Sequence, residues 1–145
     1  MIVANVHKDF HGCMSFGLKF LLENYGPAEV EEYLRRAARN VYAPLIESLR
    51  SEGLPALKDH WQRIMALEDA DFDLRLADDA LVLEVKKCPA IRHMRAHGYS
   101  VSENFCESTR IVNDEICRQA GYAASTEYDQ DNGRCIQRFW KEVIE

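Results

Sequence analysis

The chain has 145 residues, 47% hydrophobic and 29% charged, with only seven glycines and four prolines; it is long enough to bury roughly 70% of its unfolded surface and too apolar to stay disordered. A formal charge of −6 excludes a nucleic-acid footprint, which needs a dense basic face to displace counterions from phosphates. No apolar run approaches the ~20 residues of a membrane span, and the opening MIVANVHKDFHG lacks the basic-then-apolar pattern of a leader, which predicts a cytoplasmic protein with no membrane partner.

From Asp9 to about Tyr25, the residues Phe10, Cys13, Met14, Gly17, Leu18, Leu21 and Leu22 recur at three- and four-residue spacing, as a helix facing a core requires. Phe16 and Phe20 add apolar surface on other sides, so the expectation is a central, covered helix. Gly26-Pro27 ends it and opens a second, whose apolar face runs from Val30 through Leu34, Ala38, Leu45 and Leu49 to about Arg50. Pro44 lies inside that pattern and predicts a kink or break near Val41 to Ala43. After Gly53, Leu54-Pro55 starts a third helix carrying Leu57, Trp61, Ile64, Met65 and Leu67, which ends in the acidic run around Asp69 to Asp71.

Beyond Asp71 the period changes to two: Phe72, Leu74 and Leu76, an Asp78-Asp79 turn, then Leu81, Leu83 and Val85 read as a β-hairpin. A short helix is predicted over Ala90 to His97, and a longer one from Glu103 to about Ala120 with Ser102 as N-cap and Gly121 as its stop. Tyr122 to Tyr128 and Arg134 to Trp140 form a second hairpin around an Asn132-Gly133 turn. The reading is one α+β domain over 1–145. A helical part, about 1–70, packs on one face of a roughly four-stranded antiparallel sheet, made of two hairpins separated by two helices within a ββααββ part, about 71–145.

Of the five cysteines, four fall between Lys86 and Phe139. In a reducing compartment such thiols stay free, bind metal or do chemistry. Cys88 closes a strand before Pro89, Cys106 opens a helix and Cys135 follows the Asn-Gly turn, each at an element's edge where side chains can converge. The first turn of a helix favours a thiolate at Cys106. Cys117 lies about 16 Å further along the same helix, and it and Cys13 read as buried apolar residues. His7 and His11 share a face if both are helical and could then grip a divalent metal; if the helix begins only at Asp9, His7 lies in the preceding turn. The metal candidates are His7, His11, Cys88, Cys106 and Cys135, without the short paired spacing of a zinc knuckle. His93 and His97 repeat the four-residue spacing beside Arg92 and Arg95, but HMRAH lacks the glutamate of the zincin motif and reads as solvated surface. Arg134 and Arg138 flank Cys135, and Arg110 follows Cys106 by one turn; they could clamp a small carboxylate or simply pair with surface acids.

At these residues the segment from about Leu81 to Trp140 resembles the L-2-amino-thiazoline-4-carboxylic acid hydrolase family: Cys88-Pro89 after an apolar strand, Cys106 at a helix start, and Cys135 in a final hairpin before Phe139. The N-terminal HKDFHG lies outside the match. The resemblance implies hydrolysis of a cyclic amidine-like carbon–nitrogen bond in a small sulfur heterocycle bearing a carboxylate, giving a carbamoyl-cysteine. That chemistry asks for Cys106 as nucleophile, His11 or His7 as proton carrier and Arg134, Arg138 and Arg110 as carboxylate clamp; a metal-bound water on His7, His11 and a cysteine is the second mechanism. The competing class is a sensor binding a small ligand, haem or metal through His and Cys without catalysis, with Phe10, Phe16, Phe20, Tyr33, Tyr42 and Trp61 as apolar lining. A third is an interaction protein forming a homodimer through the second helix.

Overall fold

The computed structural model describes residues 7–143. The elements are α1 (Phe10–Tyr25), α2 (Pro27–Val41), α3 (Ala43–Glu52), α4 (Leu54–Leu67), β1 (Asp71–Ala77), β2 (Ala80–Lys87), α5 (Pro89–Ala96), α6 (Phe105–Ala120), β3 (Tyr122–Asp129) and β4 (Arg134–Lys141). The sheet is antiparallel in the order β1-β2-β4-β3, so the two hairpins join through β2 and β4. This is the α+β architecture expected from the pattern.

Local chemistry sets the boundaries. Gly26 and Gly53 leave α1 and α3 at φ 85° and 81°, a region open to glycine at little cost. Pro27 and Pro55 then open α2 and α4, where the missing N–H is one the helix does not use. Pro44 opens α3 in the same way, and the predicted interruption falls at Tyr42, so the long second helix is two helices. Asn104, not Ser102, holds the N-cap position of α6, with the Ser102 hydroxyl donating to the Asn104 side-chain oxygen.

Alternation along the strands puts Leu81, Leu83 and Val85 of β2 opposite Phe139, Gln137 and Cys135 of β4 on one face. Ala124, Thr126 and Tyr128 of β3 extend the same rows. Helix α4 lies over β1 and β2, α6 lies over β3, and α2 and α3 pack on α6. Leu49, Leu57, Leu81, Cys117 and Phe139 are fully enclosed between these layers, each large apolar side chain contributing about 1.5–3 kcal/mol by leaving water. A buried carboxylate ties α2 to α6: Glu115 accepts from Arg35 at 3.1 Å and Arg39 at 2.8 Å of α2, and from Arg118 at 2.6 Å and Gln119 at 2.9 Å of its own helix.

Helix α1 departs from the expectation of a central position. Its buried residues are His11, Ser15 and Leu18, while Phe10, Cys13, Met14, Phe16 and Phe20 are exposed. Hydrogen bonding selects this face: Ser15 Oγ donates to the Ser100 carbonyl at 2.8 Å and accepts from the Ser102 N–H at 2.7 Å. The apolar count along α1 predicts coverage, but its principal neighbours are only α2 and α5.

Candidate functional site

Three chain reversals meet at one end of the sheet. Pro89 stops β2 and starts α5, leaving Cys88 as the helix N-cap residue. The Cys88 N–H donates to the Gly133 carbonyl at 2.7 Å, which holds the β3–β4 turn beside it. Gly133 takes φ 63° with Ile91 only 3.6 Å from where a Cβ would stand. Gln130, in the same turn, accepts from the Cys106 N–H at 3.0 Å and donates to the Ser102 carbonyl at 2.9 Å. It thereby satisfies one of the orphan donors at the start of α6.

These ties bring Cys88, Cys106 and Cys135 to the wall of one open cavity of about 370 Å³, lined by α1, α4, α5, α6 and the sheet. All five cysteines are free thiols. Burial pushes the Cys106 thiol up to about 12, and the adjacent Cys88 and Cys135 add to the shift. This corrects the expectation of a thiolate at Cys106: loss of water outweighs the helix start, whose first donors are already engaged. Burial also raises Cys88, against the pull of the Ile91 and Ala90 N–H groups. It raises Cys135 too, despite a hydrogen bond from Gln137 Nε2 at 3.3 Å. Cys117 is buried in the main core, as read; Cys13 is exposed, contrary to the reading.

His11 also reaches this cavity, and it does not come alone. Its Nε2 stands 2.6 Å from Oε1 of Glu68, with both residues under a tenth exposed. Glu68 is the residue after α4. Trp61, Ile64, Met65 and Glu68 follow at spacings of three, four and seven, so one face of the helix lines the cavity over two turns.

The other candidates lie elsewhere. His7 precedes α1, its side chain 91% exposed and 3.9 Å from Asp9, so the two histidines do not share a helix face. Arg138 is one residue out of phase with Gln137 and Phe139; it projects from the opposite face of the sheet, paired with Glu127 at 3.3 Å. Arg110 is held by Glu107 at 2.6 Å and does not line the cavity. Of the three arginines expected to clamp a carboxylate, Arg134 alone reaches the cavity edge, where it pairs with Asp129 at 3.2 Å. Among the described residues no group of three or more His, Cys, Asp or Glu is arranged to hold a metal ion, so His7, His11, Cys88, Cys106 and Cys135 are not gathered into one ligand set.

The chain matches no family model and no curated protein.

Several wall residues had no part in the sequence argument for a site. Asn113 and Gln137, both nearly fully buried, hydrogen-bond to each other at 2.7 Å, and Tyr128 donates to Glu107 at 2.8 Å beside them. Glu68 is concealed in the sequence by the acidic run that follows it. Its distance of seven residues from Trp61 is the signal that places it on the inward face.

Proposed function

We propose that the cavity binds a small cyclic amidine-type molecule and hydrolyses its carbon–nitrogen bond, the chemistry implied by the resemblance to L-2-amino-thiazoline-4-carboxylic acid hydrolase. The observation that carries this reading is the buried His11–Glu68 pair, 2.6 Å apart, on the wall of a cleft of ligand size. A carboxylate holding one ring nitrogen fixes the imidazole's orientation and tautomer, which is the arrangement a proton carrier needs. In the proposed step the imidazole takes a proton from water as the oxygen adds to the amidine carbon. The imidazole returns that proton to the ring nitrogen, and the tetrahedral carbon expels this nitrogen as its hydroxyl proton follows, so both protons of the water end on the departing amine, the carbon–nitrogen double bond is exchanged for a C=O bond, and no oxidant is required.

Water, rather than Cys106, is the nucleophile in this scheme, because a thiol held up to about 12 supplies almost no thiolate at neutral pH. Cys88, Cys106 and Cys135 then act as a compact, polarisable wall. Arg134 is the cation placed to meet a carboxylate at the cavity edge.

Mass spectrometry of 2-amino-thiazoline-4-carboxylate incubated with the purified protein tests the proposal. Carbamoyl-cysteine is expected, with kcat/KM lowered roughly 100-fold or more by His11→Ala and little changed by Cys106→Ala. A second reading, a binding module without catalysis, is favoured by the protonated thiols and the aromatic walls at Tyr42 and Trp61. Saturable binding with no product would select it.

A further inference from the structure

Helix α1 is apolar on the side that faces away from the protein as well as on the side that faces in. At about 100° per residue, Cys13, Phe16, Phe20 and Asn24 fall opposite the buried His11, Ser15 and Leu18. Phe16 is 73% exposed and Phe20 50%. A helix with one face on a core normally turns charged residues to water. This one carries a single lysine and a single glutamate, Lys19 and Glu23, and both stand on one flank of the apolar strip. On that flank lies a groove of about 680 Å³, with Phe16, Lys19, Phe20 and Glu23 on one wall and Tyr99 on the other.

Contiguous exposed aromatic surface of this kind marks a contact site, and the two charges indicate the partner. Among the described residues neither Lys19 nor Glu23 forms an ion pair. They are one turn apart on the same flank. Two copies related by a two-fold axis present the same patch to each other, and across an axis perpendicular to α1 their helices run in opposite directions. Lys19 of each copy then meets Glu23 of the other, so one residue pair makes two opposite-charge contacts. A membrane surface is a poorer match, because an interfacial helix sets several lysines or arginines beside its apolar face and this chain has a formal charge of −6. Helix α2, expected from the sequence to form a dimer, buries its stripe of Val30, Leu34 and Ala38 within the fold.

We infer that the chain forms a two-fold homodimer through the outer face of α1, with Phe16 and Phe20 packed at its centre and Lys19 and Glu23 paired antiparallel along its flank. Phe10 and Met14 border the strip on its other side and also line the cavity, so the interface adjoins the cavity's rim. The inference does not depend on the reaction proposed for that cavity.

Sedimentation velocity from about 1 to 100 µM tests it. The wild-type chain is expected to approach twice its 16.7 kDa mass as concentration rises, and iodoacetamide labelling of Cys13 to slow in parallel. Phe16→Ser with Phe20→Ser, both at exposed positions, should leave a folded monomer. Lys19→Glu and Glu23→Lys should each raise the dimer Kd about tenfold or more by placing like charges across the axis. An equimolar mixture of these two variants should regain wild-type association, because one copy then carries two glutamates and the other two lysines; a change in helix stability within each chain cannot produce that rescue. A wild-type monomer throughout the range overturns the inference without any variant. A dimer that survives the double serine variant, or leaves Cys13 labelling unslowed, uses another face and overturns it as well. A mixture no tighter than its components overturns the antiparallel arrangement. A monomer that associates only when residues 1–6 are removed, or that binds vesicles of phosphatidylcholine and phosphatidylserine instead, assigns the face to another occupant and overturns the dimer.

Discussion

His11 Nε2 and Glu68 Oε1 lie 2.6 Å apart although 57 residues separate them in the chain. The contact joins the first turn of α1 to the end of α4, so a structural role accompanies any chemical one. Glu68→Leu strands the imidazole without its acceptor and is expected to lower unfolding free energy by about 1–3 kcal/mol, read from urea midpoints. Glu68→Gln keeps an oxygen for Nε2 and should cost less than half as much. Equal stability of Glu68→Leu and wild type would show that the pair contributes nothing to the fold.

Glu115 makes stability depend on acid. Burial alone would raise its carboxyl, but the bonds from Arg39, Gln119, Arg118 and Arg35 prevail and hold it at about 2. A carboxyl depressed in the folded state binds its proton first in the unfolded chain. The stabilisation is therefore complete above the ordinary glutamate range and is lost as pH falls from about 4.5 towards 2. Glu115→Gln should cost about 3 kcal/mol at pH 7 and flatten the fall in thermal midpoint over that acid window. An unchanged acid limb in the variant would assign the effect to other carboxylates.

The thiols should separate by reactivity. With iodoacetamide at pH 7.5, exposed Cys13 is expected to label first and core Cys117 only on denaturation. Cys106 should stay slow even at pH 9, well short of its midpoint near 12. Peptide mapping at timed intervals reads the order. Fast labelling of Cys106 at neutral pH would restore it as a candidate nucleophile.

Two glycines of α1 predict opposite outcomes for one substitution. A Cβ on Gly17 meets nothing within 4 Å, so Gly17→Ala should stabilise by about 0.5–1 kcal/mol. A Cβ on Gly12 would stand 2.9 Å from Tyr99 Cδ2, displacing a ring whose hydroxyl donates to Asp9 at 3.0 Å. That loss should cancel the helical gain, leaving Gly12→Ala no more stable than wild type in thermal melts. A stabilised Gly12→Ala would show that Tyr99 moves at no cost.

The fold was legible because its punctuation is chemical: Gly26, Pro27, Gly53, Pro55, Pro89 and Gly121 act where they stand, whatever packs around them. Pro44 even located the break at Tyr42. The edge positions of Cys88, Cys106 and Cys135 likewise pointed to one place, and the three thiols do line one cavity. The sequence could not reveal which partners surround a side chain once the chain is folded. Cys106 looked activated because its helix position is visible in sequence, whereas its loss of water is not. Arg138 looked close to Cys135 because adjacency in sequence conceals a change of face on a strand. His11 was visible, but its partner Glu68 is 57 residues away and no local pattern joins them.

The β3–β4 turn sets a limit on how this chain can be rebuilt. Hairpin tips are ordinarily where a protein accepts extra residues. Here the tip instead clasps the starts of two helices: Gln130 caps α6, the Gly133 carbonyl receives the Cys88 N–H, and Arg95 Nη2 reaches the Gln130 carbonyl at 3.2 Å. A tag or a lengthened loop placed there would open the wall of the cavity. The Asp78-Asp79 tip, at the far end of β1 and β2, is the hairpin that can carry one.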